Sequence, residues 1–162
     1  MNFIAAVDKK WAIGYKNKLL ISIPDDMRCF MEKTTGKVCI MGKNTLLSLP
    51  GGKALKNRVN IVITHDLQFK AEGTVIVHSV EDALKEAGKY SSDDVYVIGG
   101  ESIYRQFLPY VDTAYITYID YVYQADRYFP NLDKDENWKL VEESEEQTYF
   151  NVEYFFRKYV RK

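Results

Sequence analysis

The sequence is poor in the residues that build crosslinked, metal-dependent or membrane-bound proteins. Only two cysteines occur in 162 residues. Cys29 falls in a helical pattern and Cys39 in the apolar run "VCIMG", without the paired spacing of a zinc site or redox motif, so two buried free thiols are expected. The two histidines, His65 and His78, stand apart with no supporting acids or cysteines, and no metal is expected. No stretch approaches the roughly 20 apolar residues of a membrane span. The opening "MNFIAAVDKKWAIG" has too short an apolar run, and no basic leader, for a secretory signal, which points to the cytoplasm. Neither sign of charge is in excess. With 22 basic and 23 acidic residues, a formal charge of −1 and no long run of either sign, composition offers nothing to nucleic acid or a membrane surface and favours a small-molecule partner.

What is present suits one domain over residues 1–162: 46% of residues are hydrophobic and 14% aromatic, with no repeat, low-complexity tract or linker. Val- and Ile-rich runs ("NFIAAV", "KVCIMG", "VNIVIT", "TVIVHS", "DVYVIGG") alternate with helical patterns from about Pro24 to Lys33, around "KNTLLSL", and at "VEDALKEAG" and "ESIYRQFL". Near-continuous apolar strands between helices predict an α/β fold: a central, mostly parallel, twisted sheet of about eight strands flanked by about four helices. "TAYITYIDYVY", "WKLVEESEEQTY" and "NVEYFFRKYVR" have no helix between them and predict an antiparallel strand at the C-terminal edge. Asp8 to Ile23 reads as a long irregular connection of the kind that forms lids and binding loops. "SLPGGKALKN" reads as a turn that delivers Arg58 to the next strand.

The stretch "SIPDDMRCF" places two acids just before an apolar helical pattern of Met27, Phe30 and Met31. Capping accounts for much of it: Ser22 reads as an N-cap, Pro24 suits a first helical turn, and acids there complement the helix dipole. Asp26, however, shares a helical face with Phe30 and looks toward the apolar side, whereas Asp25 projects elsewhere. A carboxylate there needs a partner, and a ligand would provide one.

Three strand ends offer further chemistry. "VYVIGGESIY" runs a buried strand through Gly99 and Gly100 into a helix, where paired glycines let a ligand approach the backbone; a tight turn without a ligand explains it equally. "IMGKNT" repeats the arrangement with Gly42, Lys43, Asn44 and Thr45, either as a phosphate site or as a turn with a solvated lysine. "IVITHD" ends on Thr64 and His65. Together they suggest a dinucleotide across the sheet edge, although no Rossmann fingerprint or P-loop is present.

The ordered set "IAAV", "AIGYKNKL", "IPDDMRCF", "IMGKNTLLSL", "LKNRVNIVIT", "VYVIGGESIYRQFLP", "ITYID" and "ADRYFP" resembles the dihydrofolate reductases over essentially the entire chain. An aspartate, rather than glutamate, on the first helix resembles the bacterial members. The resemblance implies NADPH-dependent reduction of 7,8-dihydrofolate to tetrahydrofolate in a monomer that also takes antifolate inhibitors. It implies that Asp26 binds the pteridine ring and that Thr117 bonds Asp26 or a bridging water. Arg58 would hold the α-carboxylate of the substrate's glutamate tail. Ile4, Ala5, Met27 and Phe30, with Leu49, Leu55, Ile98 and Tyr104, would wall the pteridine and aminobenzoyl groups. Ala6, Ile13, Gly14, Asn17 and Lys18 would border the cofactor on the lid side. Gly42, Lys43, Asn44 and Thr45 would do so at one strand end, and Gly99, Gly100, Glu101, Ser102, Ile103 and Tyr104 at another, through a Gly–Gly peptide that is typically cis. Lys43, Thr64, His65 and His78 map around the adenosine 2′-phosphate, with lysine where the family often has arginine.

The sequence departs from the family at Leu20 and Ile21, which stand where a proline and a tryptophan are usual. The tryptophan bonds an active-site water; isoleucine cannot. Proton delivery at Ile21 is therefore expected to differ. The alternatives are a non-catalytic folate- and NADPH-binding module, or a reductase of the same fold acting on another pterin or pyrimidine.

Overall fold

The computed structural model describes residues Met1–Lys162. Five of the six mutually parallel strands are β1 (Asn2–Val7), β4 (Val38–Gly42), β5 (Val59–Ile63), β6 (Thr74–Val77) and β7 (Val95–Gly99), and β8 (Thr113–Ile119) is the sixth. They are joined by β10 (Trp138–Glu143), β11 (Gln147–Tyr149) and β12 (Val152–Arg161) in one nine-stranded sheet ordered β10-β12-β8-β1-β7-β4-β5-β6, with β11 paired to β12. Strands β6 through β8 all run parallel along this order, and β12 runs antiparallel between β8 and β10. Helices α1 (Pro24–Thr34), α2 (Lys43–Ser48), α3 (Val80–Ala87) and α4 (Glu101–Phe107) complete the four expected.

The central strands are mostly apolar, with Asn2 and Asn60 as buried exceptions, because both faces are largely covered. Alternation divides them. Phe3 and Val7 of β1 and Val38 and Ile40 of β4 join Ile61, Val95 and Val97 in the main core, with Ile103 and Phe107 of α4 and Ala83 and Ala87 of α3 against them. Cys39, Met41 and Val62 face the other way, beneath Leu46 of α2. On this second face, register aligns Ile4 with Tyr115 and Lys158, and Ala6 with Thr117 and Phe156.

Local signals explain three departures from the sequence reading. The helix α1 does not use Ser22 as its cap: Ile23 occupies the N-cap position, without a side-chain capping bond, and Asp25 instead pairs with Arg28 at 3.1 Å. Cys39 is buried as expected, but Cys29 is only half-buried. The connection Asp8–Ile23 is not irregular. It holds β2 (Ala12–Tyr15) and β3 (Lys18–Leu19), which form a second sheet in the order β3-β2-β9 with β9 (Arg127–Tyr128). Lys16 and Asn17 make the two-residue turn at φ 49° and 63°, the twist a short hairpin requires. Gly14 is required by contact: a Cβ there would lie 3.0 Å from the Lys18 carbonyl oxygen.

Asp8 ties this hairpin to the loop after β8. Its fully buried carboxylate accepts the N–H of Lys10 (2.8 Å) and Ala12 (3.0 Å) on Oδ1 and that of Tyr123 (3.0 Å) on Oδ2. An acceptor-only group suits three donors. Asp8→Asn would turn an amide N–H₂ toward at least one of them, so we expect a loss of about 1–3 kcal/mol in urea unfolding, with faster amide exchange at Tyr123. Unchanged stability would show that the carboxylate is dispensable.

Candidate active site

Asp26 lies in the first turn of α1, over the sheet face that carries Ile4, Ala6, Tyr115 and Thr117. The Thr117 hydroxyl donates to Asp26 Oδ1 at 2.6 Å, while Oδ2 accepts nothing from the protein. Burial pushes the Asp26 carboxyl above its ordinary range, and the Thr117 hydrogen bond pulls it partly back. Asp25, its neighbour, is an exposed acid, engaged by Arg28 and, at 3.4 Å, by the Tyr154 hydroxyl. The distinction between the two acids made from helical periodicity thus has a structural counterpart.

Leu49, Leu55 and Ile98 pack, partly buried, on the Cys39–Met41–Leu46–Val62 cluster. Met27 and Met31, 40% and 47% exposed, are not core residues. Arg58 sits at the C-terminal end of α1. Its Nε donates to Thr34 Oγ1 (2.9 Å), Nη1 to the Lys56 carbonyl (2.7 Å), and Nη2 to Met31 Sδ (3.0 Å) and Thr35 Oγ1 (3.3 Å). These are all neutral acceptors, so its charge is held in place without being cancelled. Between α1, β8, β10 and β12 lies a cavity of about 390 Å³ that reaches Asp26, Phe30, Ile4 and Thr117.

Two expected wall residues contribute differently. Ala5 points into the main core, since it alternates with Ile4 along β1. Tyr104 is buried in the same core, and its hydroxyl donates to the Ile4 carbonyl at 2.9 Å. Burial pushes the Tyr104 phenol up, so it stays protonated.

At the carboxyl ends of the parallel strands, register sets Gly99 beside Met41 and Gly42 beside Ile63, so the three glycine- or threonine-bearing ends form one edge. The Gly99–Gly100 peptide is cis, with Gly99 at φ 128°. A Cβ on Gly99 or Gly100 would come within 3.5 or 3.6 Å of Thr45 Oγ1, so the α2 start faces this turn. Asn44 and Ser102 are exposed beside it. Ile103 belongs to the core, and Gly42 is small because a Cβ would meet Ile103 at 3.2 Å. Glu101 is committed elsewhere: its carboxylate accepts the Tyr128 N–H (3.0 Å) and pairs with Arg105.

Lys43, Thr64 and His78 do come together, around a residue that the sequence reading passed over. Lys43 Nζ lies 3.1 Å from Asp66 Oδ2, the Asp66 N–H donates to Thr64 Oγ1, and His78 Nδ1 bonds the Thr64 carbonyl at 2.7 Å. Lys43, as donor, holds the Asp66 carboxyl below its usual range. His65 is exposed alongside. The only hint of Asp66 in the sequence was the acid following "ITH".

Ile21 packs with Ala6 against Ile23, Ile119 and Tyr154, and it supplies no polar atom. Leu20 is half-buried before it. Ile13 packs on the main core, while Asn17 and Lys18 are exposed in the hairpin.

A family model described as dihydrofolate reductase matches residues 1–161. Dihydrofolate reductases of Bacillus subtilis and Staphylococcus haemolyticus are each 37% identical over 141 residues, which cover 87% of this chain and 81% and 82% of theirs. A solved dihydrofolate reductase from Enterococcus faecalis, complexed with NADP(H) and RAB-propyl, superposes with a TM-score of 0.87 at 31% identity, over 99% of this chain and 95% of that one.

Burial of Asp26 also marks the pH dependence of folding. A carboxyl whose native pKa is raised binds a proton more tightly in the fold than in the unfolded chain, so its stability contribution is present below the unfolded value of 3.8 and is lost as pH rises through the native value. Asp26→Asn should therefore be more stable than the parent at pH 7, by urea midpoint, with the difference closing toward pH 3. A variant less stable at pH 7 would contradict the burial argument.

Proposed function

The chain belongs to the dihydrofolate reductase family, and from that membership we propose the division of labour among its site residues. The reaction is the NADPH-dependent reduction of 7,8-dihydrofolate to 5,6,7,8-tetrahydrofolate, which supplies one-carbon metabolism and thymidylate synthesis. NADPH, when bound, supplies the hydride that reduces C6. Asp26 accepts hydrogen bonds from the pteridine's amide-like nitrogen and amino group, which gives the desolvated carboxylate its missing partners. Thr117 orients that carboxylate by donating to Oδ1. N5 acquires its proton from water, favoured by the negative charge that Asp26 holds near the ring. The observation that carries this reading is the Asp26–Thr117 pair, an acid set into an apolar face with one oxygen fixed and one free of protein donors.

Arg58 presents its fork for the substrate's glutamate tail, beyond the apolar edge formed by Leu49 and Leu55. Leu49, Leu55, Ile98, Met27 and Phe30 border the substrate. Ala5 and Tyr104 support it from beneath, one through its backbone and the other through its bond to the Ile4 carbonyl. The residues along the strand ends fit a dinucleotide: Gly99 and Gly100 opposite Thr45 leave backbone open to close approach, and Lys43 supplies a cation beside Thr64 and His78. Asp66 tempers that cation, so a 2′-phosphate would displace one anion with another. Ile13, Gly14, Asn17 and Lys18 cover the nicotinamide side as a hairpin lid. A single chain in the cytoplasm is the working unit we propose; no helix is long and apolar enough to cross a membrane.

Asp26→Asn is the direct test. Turnover near pH 7 should fall by about two orders of magnitude and recover toward acid as the substrate becomes protonated beforehand. Asp25→Asn should change little. Turnover like the parent's at pH 7 would remove Asp26 from the chemistry.

Cofactor choice tests the Lys43–Asp66 pair. Lys43→Met should weaken NADPH by about 1 kcal/mol, roughly fivefold in Kd, and NADH much less, because a charge-assisted contact to the extra phosphate is lost. Asp66→Asn should tighten NADPH. Equal losses for both cofactors would assign Lys43 to packing.

A further inference from the structure

The cavity beneath α1 is not lined by Met27, Leu49, Leu55 or Ile98, four of the residues assigned to border the substrate. It shares Ile4, Asp26, Phe30 and Thr117 with the site but continues away from Met27, Leu49 and Leu55, toward β10 and β12. Its floor is the sheet face bearing Tyr115, Thr117, Phe156 and Lys158, its roof is Cys29 and Lys33 of α1, and Glu142, Glu143, Ser144 and Arg157 line the rest. Most of its lining surface is apolar, but Asp26, Thr117, Ser144, Lys33 and Lys158 put polar atoms into it, and a space of about 390 Å³ has room for water, which needs two to four polar partners.

We propose that this cavity is the hydration port of Asp26, the route by which its carboxylate stays in proton exchange with solvent while the substrate covers it, and that Cys29 sets the width of the port. The proposal rests on the reading of Asp26 as the pteridine-binding acid. Two observations favour this side over the lid side. On the lid side Ile21 supplies no polar atom, and the Tyr154 hydroxyl is turned to Asp25 at 3.4 Å rather than to Asp26. Cys29 stands one turn from Asp26 on the same helix, lines the cavity, and is only half-buried. Its small side chain leaves the passage open where a larger one would occupy it.

Charge around the port is balanced rather than of one sign. From α1 itself, Asp25, Glu32 and Lys33 flank Asp26 and Cys29. From β8 come Thr117 and Tyr115, whose ring carries Lys33 Nζ at 4.1 Å and Lys158 Nζ at 5.8 Å. From β12 come Tyr154, Arg157 and Lys158, and from β10 Glu142 and Glu143, with Glu143 bonded to Arg157 at 2.6 Å. On the far side Tyr104 of α4 faces Asp26. None of these groups pairs with Asp26 as a counter-ion, so access of water to the carboxylate, rather than a nearby cation, governs how readily it ionises. The thiol of Cys29 is itself pushed up by burial and stays neutral across the working range, so Cys29 acts by volume.

The experiment follows the carboxyl carbon of Asp26 by NMR in the aspartate-labelled protein with 7,8-dihydrofolate bound and no cofactor, assigned with Asp26→Asn, and in parallel the pH profile of turnover. Cys29→Phe narrows the port and should raise the Asp26 titration midpoint by roughly half a pH unit or more, with the turnover profile moving in the same direction and the Kd for NADPH unchanged. Cys29→Ala widens it and should lower the midpoint. A Cys29→Phe midpoint equal to the parent's overturns the proposal; if that variant fails to fold, an unmoved midpoint in Cys29→Ala does so. A midpoint that moves while the turnover profile stays fixed supports the port and instead overturns the role given to Asp26.

Discussion

A carboxylate removed from bulk water is tolerated only where its surroundings answer its charge, and the placement of Asp26 sets the terms for the rest of this site. Thr117 satisfies one oxygen at 2.6 Å, and the other has no donor from the protein. Desolvation suits the acid to the binding role we propose for it, because hydrogen bonds offered by a pteridine would recover free energy that the fold has forgone. The helix must hold Asp26 over β8, the strand must present Thr117 on that face, and the neighbouring apolar residues must exclude other donors. Each follows from periodicity: 3.6 residues along α1 and two along β1 and β8.

Alternation along β1 shows how much depends on a single step. Ile4 and Ala6 face α1, while Phe3, Ala5 and Val7 face the main core. The same peptide run therefore lines the site with one set of side chains and anchors it with the other. Tyr104 joins the two layers by bonding the Ile4 carbonyl from the core side, so the position of the site's floor is referred to the packing of α4.

The sheet, its four helices and the pairing of Asp26 with Thr117 were legible because they rest on long periodic patterns and on a resemblance spread along the chain. Other features were less so, each for a local reason. The hairpin of β2 and β3 has two strands of four and two residues joined by Lys16 and Asn17, too short for periodicity and without the Asn-Gly that usually announces such a turn. Ser22 looked like a cap, but the chain enters the helix one residue later, at Ile23. The pairing of Lys43 with Asp66 joins residues on two different strand ends, which composition cannot relate, and Glu101 proved committed to β9 for the same reason. Cys29 was expected to be buried; it roofs a cavity because the facing side chains, Tyr115 and Phe156, belong to strands far along the chain.

Arg58 illustrates what a cluster of weak, neutral contacts achieves. Four of its five N–H groups are already engaged, two of them by Met31 Sδ and by Thr35 at 3.3 Å, the acceptors most readily exchanged for a carboxylate oxygen. Rotamer freedom worth about 2 kcal/mol in a loose arginine is spent during folding rather than at encounter. An incoming carboxylate would meet a fork whose direction is already set, and selectivity would then depend on shape: an anion unable to span two parallel N–H groups would gain the charge but forgo the second bond.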